Sequence, residues 1–202
     1  SAASPTPTFA GLRQVSDGWI KKYVLTYTMP DGSTYEYESA SRKGPEAYRA
    51  ELEAHARGES AASDAVCIVP QTPDGRLLLI REFRYPLNSW CVSLPAGLID
   101  AGESLEEAVA RELSEETGYR LRDDIAPAVR PLPQPGFSST GLTEENVQVV
   151  FAQVEAAGKA RPDSAELIEP FTVARADLRA FLDANQLPIG TRCQLILELL
   201  AI

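Results

Sequence analysis

Residues 97–119, GLIDAGESLEEAVARELSEETGY, carry six glutamates and one arginine in the pattern G-x5-E-x7-R-E-L-x-E-E-x-G-Y. Ser104 followed three positions later by Glu107 is a capping box, and Gly118 after Thr117 is a stop signal, so the spacing predicts a helix over about 105–117. Leu105, Val109 and Leu113 recur at i, i+4 and i+8 as the core-facing stripe. At about 100° per residue, Glu112, Glu115 and Glu116 share an arc along the border of that stripe. Carboxylates crowded there repel one another, each adjacent pair costing roughly a few tenths of a kcal/mol unless cations neutralise them. Hard oxygen ligands of this kind suit Mg²⁺ or Mn²⁺, which keep some water and bridge to phosphates. The alternative is an acidic solvated helix face. The flanking glycines, Arg111 placed to pair with Glu103 or Glu115, and LPAG leading into the loop favour a site that holds metal beside a diphosphate.

This array resembles the signature of the Nudix hydrolases. Gly97, Glu103, Arg111, Glu112, Leu113, Glu115, Glu116 and Gly118 match, and Tyr119 stands where the family usually has a smaller aliphatic residue. The resemblance implies a loop, helix and loop that bind divalent metal and a nucleoside diphosphate linked to another moiety. It makes Glu112 and Glu116 the principal metal ligands, Glu115 a further ligand or water-orienting carboxylate, and the Ala96 carbonyl another ligand. Arg111 and Glu103 become a structural pair that fixes the loop.

The elements that must position this segment read as a coarse α/β order. The β-rich runs 19–29 and 33–40 surround Pro30-Asp31-Gly32, a hairpin signal. A helix at about 45–57 and a Gly/Ser/Ala linker follow. Strands at 64–70 and 76–83 flank a second Pro-Asp-Gly turn, and a short strand near 90–94 precedes the signature. Beyond it come a strand near 125–131, a Pro/Gly/Ser/Thr-rich loop at 132–146 and strands at 147–154 and 168–173. Helices at 175–184 and 191–201 close the chain. This order predicts an α/β (α+β) fold, an α/β/α sandwich around a mixed sheet with an N-terminal antiparallel β extension. The expected organisation is a disordered tail at 1–17, an extension at 18–60 and the signature-bearing domain at 61–202.

Composition agrees with one soluble domain. The chain has 202 residues, 44% of them hydrophobic, enough for a sizeable core. Its longest apolar runs, 77–80 and 195–202, are far shorter than the ~20 residues a bilayer crossing needs. The N-terminus lacks the basic and apolar regions of a signal peptide. Cys67, Cys91 and Cys193 lack metal spacing and read as core thiols of a reducing, cytoplasmic compartment. A net charge of −10 argues against a nucleic-acid surface. His55, the single histidine, reads as a surface residue, and one histidine excludes a multi-His zinc site.

The text GWIKKYVLTYTMPDGSTYEYESASR and the later LLLIREFRYPLNSWCVSLPAGLIDAGE resemble the ADP-ribose and ADP-sugar pyrophosphatase branch of the family over roughly 18–185. That resemblance implies a homodimer built through the N-terminal strands, with Trp19 and Tyr37 sandwiching adenine across the subunit boundary. Arg42 and Arg84 match positions that contact phosphates or the terminal ribose. Pro135 lies near where that branch carries a proline. Ser93 departs from the pattern, since relatives commonly carry glutamate just before LPAG. Nothing in the signature suggests a covalent intermediate, so a metal-activated water attacking one phosphorus is the simplest chemistry. The branch implies Glu166 as the carboxylate that orients or deprotonates this water, with Glu144, Glu145 and Glu115 competing. The expected reaction is Mg²⁺-dependent hydrolysis of ADP-ribose or a related ADP-sugar to AMP and a sugar phosphate. The alternatives are another nucleoside diphosphate derivative as substrate, or a nucleotide sensor that does not cleave.

Overall fold

The computed structural model describes residues 4–202. Contacts divide the chain into two units, one running to Ser63 and including Phe137–Asn146, the other comprising Asp64–Gly136 and Val147–Ile202.

In the first unit, β1 (Thr8–Gln14), β2 (Lys21–Thr28) and β3 (Thr34–Ser41) form an antiparallel sheet in that order. β2 and β3 pair without slippage from Lys21↔Ser41 to Thr28↔Thr34 across the Pro30-Asp31-Gly32 turn. Gly32 sits there at φ 84°, and the Asp31 carboxylate accepts the Ser33 amide at 2.9 Å. The helix α1 (Pro45–Ala56) starts with proline in its first turn and packs Tyr48 against Tyr23 and Leu25.

Three expectations change here. Much of the predicted tail is strand: Thr8–Gln14 pair along the edge of β2. A register shift between Phe9 and Gly11 breaks the period-two alternation that would have announced it. Residues 1–3 of that tail lie outside the described residues. The segment Phe137–Asn146, assigned from sequence to the later domain, belongs to the first unit because it docks on β3. Ala40 N–H donates to the Leu142 carbonyl at 2.9 Å, and the Tyr37 hydroxyl donates to the Gly141 carbonyl at 2.7 Å. His55 is not a plain surface residue: its ring meets Phe137 edge-on at 5.6 Å and lies 3.9 Å from the buried Glu51, one turn earlier on α1.

The second unit is built on a mixed sheet. It contains β4 (Ala65–Gln71), β5 (Arg76–Arg84), β6 (Ser89–Ser93), β7 (Ala96–Leu98), β8 (Tyr119–Leu121), β9 (Val129–Pro131), β10 (Gly136–Phe137), β11 (Asn146–Ala156) and β12 (Ile168–Ala174). Its central path runs β10, β11, β4, β5, β12, with β6 added to β5, β7 to β4, and β8 and β9 to β11. β4 and β11 pair in parallel from Ala65↔Val147, whereas β11 with β8 and β9, β5 with β12, β4 and β6, and β4 with β7 pair antiparallel.

Strand alternation sends two apolar sets to opposite faces. On one face Val66, Ile68, Leu78, Val150 and Val154 pack against Ala108, Val109 and Leu113 of the signature segment. On the other, Cys67, Val69, Leu77, Leu79 and Val149 meet Leu178, Cys193 and Leu197 from α3 (Leu178–Ala184) and α4 (Thr191–Leu200). The result is the expected three-layer α/β/α arrangement with an antiparallel N-terminal addition. The three cysteines are buried and unpaired. Among the described residues no helix is long and apolar enough to cross a membrane.

The signature helix itself departs from a single run over 105–117. It is α-helical as α2 (Leu105–Glu112) and continues as a π-helical turn, Leu113–Thr117. Such wide turns recur where a helix must re-aim side chains.

Candidate active site

Gly97, Arg111 and Gly118 fix the signature in three ways. The Ser104 hydroxyl accepts the Glu107 amide at 3.3 Å while the Glu107 carboxylate accepts the Ser104 amide at 2.8 Å, so the capping box is complete and α2 begins where expected. At the other end Gly118 takes φ 72°, and a side chain there would meet the Gly158 carbonyl at 2.6 Å. Its own carbonyl accepts the amides of Ala157 and Gly158, which ties the helix end to the loop that leads toward Glu166.

Arg111 organises the entry loop. Its guanidinium grips both oxygens of Glu103 at 2.8 and 2.9 Å, donates to the Leu98 carbonyl at 2.9 Å, and reaches Glu112 at 2.7 Å and Glu115 at 3.4 Å. The grip of Arg111, helped by the Asp100 amide, holds the Glu103 carboxyl down at about 2.

Glu112 and Glu116 are buried, while Glu115 is exposed at the rim. An α-helix would rotate Glu116 about 40° past Glu112. The π turn unwinds part of that rotation and sets Glu116 against Ala96, whose amide donates to its Oε2 at 3.1 Å. Gly97 is required in this packing: a Cβ on it would lie 1.9 Å from the Glu112 Oε1. Burial raises the Glu112 carboxyl against the opposing pull of Arg111. Burial, then the charges of Glu112 and Glu82, push Glu116 up to about 9, opposed by the Ala96 amide.

Glu82 was missed from sequence. It is buried on β5, and burial raises its carboxyl although Arg84 lies 2.7 Å away. The signal was available: Glu82 follows Leu78 and Ile80 at period two, an acid where the alternation calls for an apolar residue. Glu166 lies in an exposed loop with its carboxylate on the Asp163 amide at 3.1 Å, yet its charge still acts on Glu82, Glu112 and Glu116.

Among the described residues no group of three or more His, Cys, Asp or Glu side chains stands ready as an ion cage. The donor set nonetheless fits a hard divalent cation: two buried carboxylates beside the Ala96 peptide repel each other, and more acids surround them. Of the three glutamates expected on one arc, Glu112 and Glu116 are buried and Glu115 stays at the rim, 3.4 Å from the Arg111 nitrogen that also holds Glu112 at 2.7 Å.

The substrate-facing candidates split. Arg84 stands half-exposed on β5 beside Glu82 in the second unit. Trp19, Tyr37 and Arg42 belong to the first. There Arg42 pairs with Glu145, and Glu144 bonds Ser41 and Lys43, so the carboxylates at 144 and 145 are engaged in that unit. Tyr37 lines a cavity of about 340 Å³ together with Tyr27, Tyr48, His55 and Phe137. Trp19 precedes Lys21, whereas Tyr37 pairs with Leu25, about 14 Å further along β2. One chain therefore does not bring these two rings within the roughly 7 Å that contacting aromatic partners span.

A NUDIX domain model matches residues 62–192. The chain belongs to the Nudix family. It is 33% identical over 182 residues to the ADP-sugar pyrophosphatase of Mus musculus, covering 84% of this chain and 74% of that protein. The ADP-ribose pyrophosphatase of Saccharomyces cerevisiae is 33% identical over 144 residues, which is 68% of this chain and 56% of the yeast protein. Among solved structures, one described as an ADP compounds hydrolase superposes with a TM-score of 0.70 at 23% identity, covering 98% of this chain and 95% of that one. The last likeness shows that the two chains share a fold.

Two outcomes follow from this Nudix site. Gly97→Ala should displace the Glu112 carboxyl and lower turnover of a nucleoside diphosphate sugar by about a hundredfold or more, whereas Gly11→Ala, with open space around its Cβ, should not. In metal-free protein near pH 7, Glu116→Gln should raise Tm by about 2–4 °C, because the folded wild type must keep this carboxyl neutral while the unfolded chain ionises it. That gain should grow between about pH 5 and 9 and level off above, where the folded carboxyl ionises too. Added Mg²⁺ should raise the wild-type Tm by mass action and leave the variant almost unmoved in a thermal scan.

Proposed function

We propose that this protein hydrolyses the pyrophosphate bond of ADP-ribose or a related ADP-sugar, giving AMP and a sugar phosphate, with Mg²⁺ or Mn²⁺ as cofactor. The observation that carries the reading is the buried Glu112 and Glu116 pair folded over Gly97. The similarity to an ADP-sugar pyrophosphatase over most of the chain supports the substrate class.

In this reading Glu112, Glu116 and the Ala96 carbonyl hold the cation, with Glu115 a further carboxylate at the rim. The cation, when bound, neutralises charge on the diphosphate oxygens and acidifies the attacking water. Glu166 takes the proton of that water as its oxygen bonds one phosphorus, and the bridging oxygen leaves with the departing phosphate. The 157–167 loop suits this role because it is tied down at Gly118 and at Glu115, whose carbonyl accepts the Arg161 amide at 2.8 Å, yet leaves Glu166 exposed. Arg111 and Glu103 keep the entry loop in place. Arg84 receives a phosphate.

The reading includes a homodimer. The separation of Trp19 from Tyr37 along β2 supports it, since a base stacked between such rings needs one ring from each of two copies. The three buried, unpaired thiols suit a reducing, cytoplasmic setting.

Purified protein with Mg²⁺ should release AMP from ADP-ribose, and Glu116→Gln should abolish turnover while retaining the native circular dichroism spectrum. Binding of ADP-ribose without any product would instead make the protein a sensor. Light scattering after gel filtration should give twice the 21.9 kDa chain mass, and a monomer would remove the shared-adenine reading.

A further inference from the structure

The least expected charged group in the second unit is Glu82. Burying a carboxylate is unfavourable unless something compensates, and here the nearby acids Glu116 and Glu166 add repulsion. What offsets it is Arg84, 2.7 Å away and two residues on along β5, therefore on the same face of the sheet. That face also carries Leu78 and packs against α2.

Ser93 completes the arrangement. It stands opposite Ile80 in the β5–β6 ladder, and Cys91 stands opposite Glu82, so Ser93 projects from the face that bears Glu82. Its hydroxyl lies on the Glu82 side of the sheet and favours the ionised form of that carboxyl. On the far side of β5, Phe83 N–H donates to the Leu167 carbonyl and Glu82 lies opposite Ile168, so the chain entering β12 runs past this end of β5 and the Glu166 charge acts on Glu82. Arg84 thus rests on one buried acid, while half of its side chain faces solvent.

We propose that Glu82 is the positioning residue for Arg84, fixing its guanidinium for a diphosphate, and that it supplies from β5 the carboxylate that β6 lacks at Ser93. The inference rests on the function proposed above. A long arginine left free must be ordered when substrate binds, and one already gripped by a buried acceptor loses less freedom. Ser93 is then no defect in the motif but the hydroxyl that holds the relocated acid.

The test is a set of variants read in two ways. KM and kcat for ADP-ribose are measured with Mg²⁺, and Kd for ADP-ribose is measured by calorimetry in EDTA, where no cation contributes. Glu82→Gln should raise KM and the EDTA Kd about tenfold with kcat within about threefold, the scale expected for losing one charged hydrogen-bond partner. Glu82→Gln with Ser93→Glu should recover most of that affinity, because the carboxylate returns from the neighbouring strand. In an Arg84→Ala background Glu82→Gln should have little further effect. Ser93→Ala, a milder change, should move Kd about two- to fourfold in the same direction and covers the case in which Glu82→Gln fails to fold.

An unchanged EDTA Kd in both Glu82→Gln and Ser93→Ala overturns the proposal. So does a Glu82→Gln effect that persists in full without Arg84, or one confined to the Mg²⁺ dependence, which would place Glu82 on the cation instead. Wild-type protein that fails to cleave ADP-ribose would sink the proposed function, whereas wild-type turnover with indifferent Glu82 variants would sink only this inference.

Discussion

Everything in the catalytic half of this molecule hangs on Arg111. One guanidinium joins the entry loop at Glu103 and Leu98 to the helix at Glu112 and Glu115, so loop and helix cannot move independently. Arginine alone among the side chains offers five donors in a rigid fork, which is why a single residue serves four partners. By reaching Glu112 it also supplies part of the compensation that buried acid needs, and the same nitrogen lies 3.4 Å from Glu115 at the rim.

Gly97 and Gly118 show the complementary constraint, which is space. The first lets a carboxyl lie against backbone, and the second lets the chain turn left-handed under a neighbouring loop. A Cβ at Gly97 would push the Glu112 carboxyl aside, whereas at Gly118 both contact with backbone and the left-handed φ oppose one. Together with Arg111 they hold the acids of the signature in one defined geometry.

The parts of the fold visible in the sequence were those governed by local rules. The capping box of α2, the Pro-Asp-Gly hairpin, the proline-started α1 and the apolar runs of β4 and β5 each carry their signal within a few residues. The parts not visible depend on distant partners. β1 is interrupted at Gly11, and its pairing with β2 supplies the order that its own pattern lacks. Phe137–Asn146 reads as a loop because its bonds go to β3, about a hundred residues earlier. The π turn after Glu112 has no local marker, so the sequence reads as one unbroken α-helix through Thr117. Glu82 sat in plain view as an acid in an apolar row, but its meaning required the ladder that places Ser93 beside it.

The parallel pairing of β4 with β11 has a kinetic consequence. Ala65 meets Val147 only after some eighty intervening residues have been gathered, so the middle of the sheet closes late and at a large entropic cost. Val150 and Val154 on β11 form part of the surface that covers the signature helix. Until that strand arrives, the Ala108, Val109 and Leu113 side of the signature helix has only part of its apolar cover. That helix is thus sealed only when the two halves of the sheet, far apart in sequence, have met.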